Sequence, residues 1–595
     1  MQRRFASQRY ASVPDLAILL LVATTIYGVY AISREWRSEF HPITQIDLSV
    51  WALPYYTLMS GIRGTVAYFI SLIFTLVVGY VAANSKSAEK IIIPMLDILQ
   101  SIPVLGFLPG LLLGLVALFP HTNTGLELAA IIMIFTGQVW NMTFSYYSSL
   151  KSVPTDFREA STIIGLNWRE RLRGVELPFS AVNLAWNSLL SMAGGWFFLI
   201  PCEAITLGDK EYRLPGIGAY MDVAIKKGDF QAVTMAVVAM VLLIVLMDFV
   251  IWRPILSWVQ KFRLEDIPGI NNSEPLMQLW IRESKIVRWV KLYYRDHVAR
   301  RHAKADRALR SVKKLEIPGT PSSSSLSLSV LLGRLAFLNR ILFSQRNLKV
   351  IGTLSSLGVL AFIVYGSFKL LWVLRTIPVQ TWIWLVRDML WTFLRVVFAL
   401  LISTIWAVPF GIWLGTSPAR IRIGQPIIQI LASFPAPMLY PLALGVLFSF
   451  GISFDWAAMF LMLLGVQWYV LFNVLAGALR IPQELNYALE LMETSTWDKW
   501  KTLYLPSVFP SLVTGWVTAA GGAWNASVVA EYIFYQGKIL KTGGLGATLS
   551  VATAEGNFTL FAASLTLMIF SVIVMNRLVW SKLYDLAQNR FRMEI

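Results

Sequence analysis

The chain has 595 residues, 56% of them hydrophobic and 14% charged, with a formal net charge of +17. A soluble globular chain carries about a quarter charged residues, and a mean hydropathy of +0.60 means more apolar surface than one soluble core would bury, so a bilayer is its natural solvent. One cysteine, Cys202, excludes an intrachain disulfide; four scattered histidines argue against a metal centre; and the positive charge fits cytoplasmic loops at an anionic membrane face better than nucleic acid.

In chain order, apolar runs predict helices at 16–32, 65–83, 104–119, 126–147, 181–201 and 232–252. A second set falls at 350–374, 394–414, 435–450, 456–476, 512–533 and 558–580. Each has, or nearly has, the roughly 17–25 residues needed to cross the hydrocarbon core. The shorter third and ninth hold Pro109 and Pro441, which a packed bundle tolerates. The first run follows Arg3 and Arg4 but has no clear small-residue cleavage site, so it reads as an uncleaved helix rather than a signal peptide.

Lysine and arginine set the orientation. Arg3, Arg4 and Arg9 place the N-terminus in the cytoplasm. With twelve crossings the basic stretches 151–173, 253–346 and 499–501, and the C-terminal Arg590 and Arg592, fall on the same side. The organisation is then a first half at 1–260, a basic linker at 261–345 and a second half at 346–595. The linker mixes basic residues with Trp280, Trp289, Tyr293 and Tyr294 before the Pro318-Gly-Thr-Pro-Ser-Ser-Ser-Ser stretch. It reads as an amphipathic segment on the inner leaflet, or as a regulatory or docking module.

The two halves repeat each other. Arg63, Gly79, Ser85, Pro94, Ser101, Pro103 and Pro109 lie opposite Arg395, Gly411, Ser417, Pro426, Ser433, Pro435 and Pro441, always 332 positions apart. Beyond a predicted outer loop at 120–125 the separation becomes 328, and Gly137, Trp140, Pro154, Pro178, Gly194, Trp196, Glu203 and Gly218 meet Gly465, Trp468, Pro482, Pro506, Gly522, Trp524, Glu531 and Gly546. Six spans per half make these parallel repeats about an axis along the membrane normal, which encloses a central pathway and suits a transporter.

After the fourth span, Val153-Pro-Thr-Asp-Phe-Arg-Glu-Ala-Ser-Thr-Ile-Ile-Gly165, continuing to Val175-Glu-Leu-Pro178, predicts a short helix, a break at Gly165 and a second short helix ended before Pro178. Such an element sits in a cleft of a cytoplasmic partner or rests on the inner leaflet. It resembles the coupling motif of importer permeases of the ATP-binding-cassette type: Glu-Ala-Ala, three residues, Gly, nine residues, Ile, one residue, Leu-Pro. Glu159, Ala160, Gly165, Leu177 and Pro178 match, with Ser161 and Val175 as mild substitutions. The second copy keeps Ala488, Leu505 and Pro506 but has Tyr487 in place of the glutamate and Glu493 in place of the glycine. Gly-Ile-Trp-Leu-Gly-Thr-Ser-Pro at 411–418, Pro435-Ala-Pro and Val528-Val-Ala-Glu-Tyr-Ile resemble the subfamily that imports nitrate, sulfonates, taurine or bicarbonate.

The resemblance implies an all-α membrane fold of about twelve transmembrane helices, the type I importer permease fold, in a bacterial inner membrane with both termini cytoplasmic. It implies two separate ATPase subunits below, holding ATP and Mg, a substrate-binding protein outside, and no cofactor or catalytic residue in this chain. The absence of a Gly-x-x-x-x-Gly-Lys-Ser/Thr loop agrees with a separate ATPase. The partners are then these proteins and membrane lipid, not nucleic acid.

Polar groups inside spans are candidates for the pathway. Gln138, Trp140 and Asn141 in the fourth span, and Gln467 and Trp468 in the tenth, either offer neutral donors to a small oxyanion or tie helices together. Glu203 and Glu531, at equivalent span ends, either serve an outer gate or binding-protein contact or accept from backbone amides in the 216–218 and 544–546 loops. The main alternative function is an ion-coupled secondary transporter, which would need no docking motif and usually carries intramembrane ionisable residues.

Overall fold

The computed structural model describes residues 13–262 apart from 102, 208 and 209, residues 364–590, and scattered positions between 279 and 293 with residue 361. Most of the 261–345 linker and the 350–360 part of the seventh expected helix lie outside the described residues. The chain divides into a smaller unit, residues 1–20 with 279–377, and a larger one, residues 21–278 with 378–595. In the smaller unit residues 364–375 are helical. The larger unit holds both repeats.

The first half runs α1 (Val13–Arg37), α2 (Leu53–Asn84), α3 (Lys86–Ser101), α4 (Leu108–Leu118), α5 (Thr124–Lys151), α6 (Thr155–Ile163), α7 (Trp168–Arg171), α8 (Leu177–Trp196), α9 (Leu199–Glu203), hairpin β1–β2 (Ala204–Leu207, Lys210–Arg213), α10 (Ile217–Lys227), α11 (Phe230–Met247) and α12 (Arg253–Val259). The second follows as α13 (Val379–Gly415), α14 (Pro418–Ser433), α15 (Ala436–Ser449), α16 (Phe454–Ala478), α17 (Gln483–Leu491), α18 (Thr496–Lys499), α19 (Leu505–Ala530), hairpin β3–β4 (Tyr532–Tyr535, Lys538–Lys541), α20 (Leu545–Ala554), α21 (Phe558–Met575) and α22 (Ser581–Arg590).

The division of each long helix into lipid and protein faces follows from residue size. In α2 the buried stripe is Ser60, Gly64, Ala67, Ser71, Thr75, Gly79 and Ala82, at helical spacing, and it packs on α5. Small residues let backbones approach closely where dispersion must supply the attraction. Phe69, Ile73, Val77 and Val81 of the same helix point outward, as lipid-facing residues should. In α13 the stripe recurs as Thr392, Ala399, Ser403, Ala407 and Gly411, the same register 332 positions on.

Among the described residues eight helices are long and apolar enough to cross a bilayer, or nine if the pair at 419–433 and 436–449, bent by 90°, is one span. The all-α membrane class holds, while these residues do not reach the twelve crossings expected. The expected third span is a 3₁₀ turn at Val104–Phe107 followed by the eleven-residue α4, about 16 Å long and too short to cross alone. Pro103, and Pro435 in the second half, are the caps at which these helices begin. Two short antiparallel hairpins, Ala204 opposite Arg213 and Tyr532 opposite Lys541, were not foreseen. Four-residue strands give too little alternation to read.

Candidate functional site

The loop after α5 in the first half is a capped corner. Helix α6 ends in a Schellman cap: Leu166 N–H donates to Ser161 O and Gly165 N–H to Thr162 O, both at 3.0 Å. The motif needs a left-handed residue, and Gly165 supplies φ 75°. Asn167 then caps α7, accepting from Arg169 and Glu170 N–H, while the Glu170 carboxylate accepts the Asn167 N–H. The second short helix does not end before Pro178 as the sequence suggests. It passes through a π turn at Leu172–Glu176 straight into α8, with Pro178 in its first turn. The wider turn absorbs the missing proline N–H and its ring.

The second half builds the same corner from other residues. Thr494 N–H donates to Leu489 O and Glu493 N–H to Glu490 O, with Glu493 itself at φ 50°. Ser495 caps α18, and a π turn at Trp500–Tyr504 leads into α19 with Pro506 in its first turn. Glu159 and Ala160 in the first corner, and Tyr487, Ala488 and Glu493 in the second, are exposed; Leu177, Pro178 and Pro506 are half-buried and Leu505 is exposed. The tips are apolar. Ile163 and Leu491 are each 86% exposed, flanked by Ile164 and Trp168 in one half and by Met492 and Trp497 in the other.

At the end of α8 and α9 far from the first corner lies a buried ion network. Arg63 Nε and Nη2 donate to both Glu127 oxygens at 2.6 and 2.7 Å, and Nη1 donates to Glu203 at 2.7 Å. All three side chains are fully buried. Ser60 Oγ donates to Glu203 at 2.6 Å, and Gly218 N–H donates to it at 2.7 Å. Position 216 must be glycine here, because a Cβ would stand 2.2 Å from a Glu203 oxygen. Glu203 thus has the backbone-amide arrangement the sequence offered as one alternative, with Arg63 added.

The second network is its counterpart with a looser third corner. Arg395 donates to Glu531 at 2.8 Å, and Glu531 also accepts from Thr392 Oγ1, Gly546 N–H and Ala547 N–H. Asp455 stands where the first half has Glu127, is 71% exposed, and stays 4.0 Å from Arg395. Thr542 bridges the gap, donating to Asp455 and accepting from Arg395. Two exchanges make the difference: aspartate for the longer glutamate, and Thr542 where the first half has Leu214. From sequence Arg63 and Arg395 served only as repeat landmarks and Glu127 not at all; an arginine repeated at the edge of an apolar run in both halves was the available signal.

The intramembrane amides separate. Gln138 is buried and makes long hydrogen bonds to Gly64 O, 3.4 Å, and from Ser71, 3.5 Å, tying α2 to α5. The Trp140 indole N–H is buried without a partner. Asn141 and Gln467 are half-buried, and Trp468 meets Trp406 edge-on at 6.2 Å.

The family described as "binding-protein-dependent transport system inner membrane component" matches twice, at residues 75–251 and 407–582. Among similar proteins, the nitrate import permease protein NrtB of Leptolyngbya laminosa is 30% identical over 152 residues, 26% of this chain and 50% of that protein. The bicarbonate transport system permease protein CmpB of Synechocystis sp. is 28% identical over 132 residues, 22% of this chain and 46% of its own length. The taurine transport system permease protein TauC of Escherichia coli is 30% identical over 139 residues, 23% and 49%. The chain thus spans about half the length of the curated relatives it matches. With the family matched once in each repeat and covering more than half the residues, this chain belongs to the binding-protein-dependent transport system inner membrane components, the permease subunits of ATP-binding-cassette importers.

Proposed function

We propose that this chain supplies both membrane halves of an ATP-driven importer for a small anion of the nitrate, bicarbonate, sulfonate or taurine class. Two separate ATPases dock on the corners at Thr155–Ile163 and Gln483–Leu491, and a substrate-binding protein delivers the solute. The observation that carries the reading is the pair of corners. Both present exposed apolar tips, Ile163 and Leu491, at one repeat separation and on the same capped geometry. Apolar tips on a stiff corner pack into a cleft of a cytoplasmic partner, and burying each large side chain contributes about 1.5–3 kcal/mol. The anion class rests on the relatives' names. Glu159, Ala160, Gly165, Leu177 and Pro178, with Tyr487, Ala488, Glu493, Leu505 and Pro506, form the docking elements in this reading.

The test is reconstitution in liposomes. The chain alone hydrolyses no ATP. With its ATPases, hydrolysis rises on adding binding protein loaded with nitrate, bicarbonate or taurine. Uptake of these anions driven by an ion gradient, with no ATPase present, overturns the proposal in favour of an ion-coupled carrier.

A further inference from the structure

The two halves meet along a seam that the repeat makes easy to locate. Phe197 lies at the end of α8, and its ring faces Gly465 of the other half: a Cβ there would stand 3.4 Å from Phe197 Cε2 and 3.7 Å from Ala436. The residue equivalent to Phe197 is Asn525, 328 positions on, and the residue equivalent to Ala436 is Val104, 332 positions back. The matching contact exists with different chemistry, as Val104 N–H donates to Asn525 Oδ1 at 2.7 Å. Val104 opens the 3₁₀ turn after Pro103, so its N–H has no helical acceptor and is free to reach across.

A second residue of the same half closes the gap. Gly522 and Asn525 are three apart on α19 and share a face. The Tyr469 ring covers Gly522, where a Cβ would stand 3.1 Å from Cε2, and its hydroxyl reaches to Gly194 of the first half, 3.8 Å from a Cβ there. Gly194 and Gly522 are themselves repeat equivalents. One tyrosine therefore lies over both glycines, while the residue equivalent to it in the first half is Asn141. The seam sits about 30 Å along α19 from its start at Leu505, at the end far from the docking corner. It contains no charged side chain among these residues, so opening it exposes neutral donors, which can meet an anion without holding it tightly.

We infer that Tyr469 and the Val104–Asn525 hydrogen bond form the gate at this end of the pathway, shut in the conformation described and released when the halves rearrange. The inference rests on the importer reading above and goes beyond it by naming a state-dependent contact.

The experiment pairs Val104→Cys with Asn525→Cys in a Cys202→Ala background, in the complete transporter with its ATPases and binding protein. The pair cross-links under mild oxidation in the resting complex, and the yield falls several-fold when vanadate traps nucleotide. A second measurement needs no new cysteine: Asn525→Ala raises ATP hydrolysis without binding protein about five-fold, the population shift that loss of one hydrogen bond produces, and Tyr469→Ala, which uncovers both glycines, raises it in the same direction. A cross-link of equal yield in both states, in a complex that traps nucleotide, makes the seam a fixed joint and overturns the gate alone. Unchanged basal hydrolysis in both alanine variants does the same. A complex that traps no nucleotide overturns the importer reading and the gate with it.

Discussion

Gly165 and Glu493 occupy the same position in equivalent Schellman caps, at φ 75° and φ 50°. The corner therefore tolerates a side chain in the left-handed region, at a cost of roughly 1–2 kcal/mol relative to glycine. Glu493→Gly relieves that strain rather than weakening a helix, the reverse of what helix propensity alone suggests for the site. The variant is expected to keep most of its uptake and to raise the thermal midpoint slightly. Gly165→Glu inserts stably, since the second half shows the turn accepts it, but loses uptake and ATPase stimulation because a charge now stands beside Ile163 and Ile164 at the docking tip. Uptake and hydrolysis at matched expression check both. Normal transport by Gly165→Glu would remove the first corner from the coupling path.

Removal of the two buried arginines separates the halves energetically. Arg63→Ala strips Glu127 of its arginine donors and leaves Glu203 with only Ser60 and Gly218, two fully buried carboxylates without a cation, a loss of about 3–5 kcal/mol. Arg395→Ala leaves one buried carboxylate, Glu531, which keeps Thr392 and two backbone donors, while Asp455 remains solvated. The expected order in detergent thermal unfolding is wild type, then Arg395→Ala, then Arg63→Ala. Equal losses would mean the Glu127 arm contributes nothing.

At the start of α3, Glu89 accepts from Lys151 Nζ at 2.7 Å and from the Tyr147 hydroxyl, joining α3 to the last turn of α5 just before the corner at α6. These hydrogen bonds, that from Lys151 first, hold the Glu89 carboxyl below its ordinary value of 4.5. A lowered folded-state pKa gives stabilisation that is complete above the unfolded value and lost as pH falls through the folded one. Wild type is therefore expected to lose stability relative to Glu89→Gln on acidification below about pH 4.5, since the amide has no charge to lose. Parallel curves for the two proteins between pH 6 and 3 would show that the pair contributes nothing.

The sidedness of the linker is a separate expectation. With both termini and the 261–345 segment cytoplasmic, Arg300→Cys reacts with an impermeant thiol reagent in inverted vesicles and not in intact cells. Cys202 is fully buried and gives little background. Labelling from outside would reverse the orientation.

Much of this architecture was legible because the repeat is. Proline and glycine fix backbone geometry, so their constant separation marked equivalent turns, including Pro154 and the glycines that cradle Glu203, whereas Gly165, whose equivalent is Glu493, was read as a helix break and from the motif it resembles. Helix ends were less legible: α2 begins at Leu53, twelve residues before the apolar run, because Arg63 and Ser60 are buried by ion pairing rather than by hydrophobicity. The expected third span failed because an apolar run does not reveal that Pro103 turns the chain. The pathway candidates were picked by polarity alone. Polarity drew attention to Gln138, which bonds inside its own half, whereas Tyr469 and Asn525 differ from their equivalents and face a partner that periodicity within one helix cannot identify.

Carrying two copies of the fold in one polypeptide has a consequence at the central glycines. In a pair of identical chains, whatever residue approaches the symmetry axis meets its own twin, so a tyrosine there would collide with a second tyrosine and an asparagine would face another asparagine. Here a bulky ring from one side lies over glycines from both, and an amide on one side answers a phenyl ring on the other. Covalent linkage fixes which copy stands where. Each side can then specialise, one to fill the axis and the other to yield space, so that an off-centre plug becomes heritable in a way closed to any homodimer.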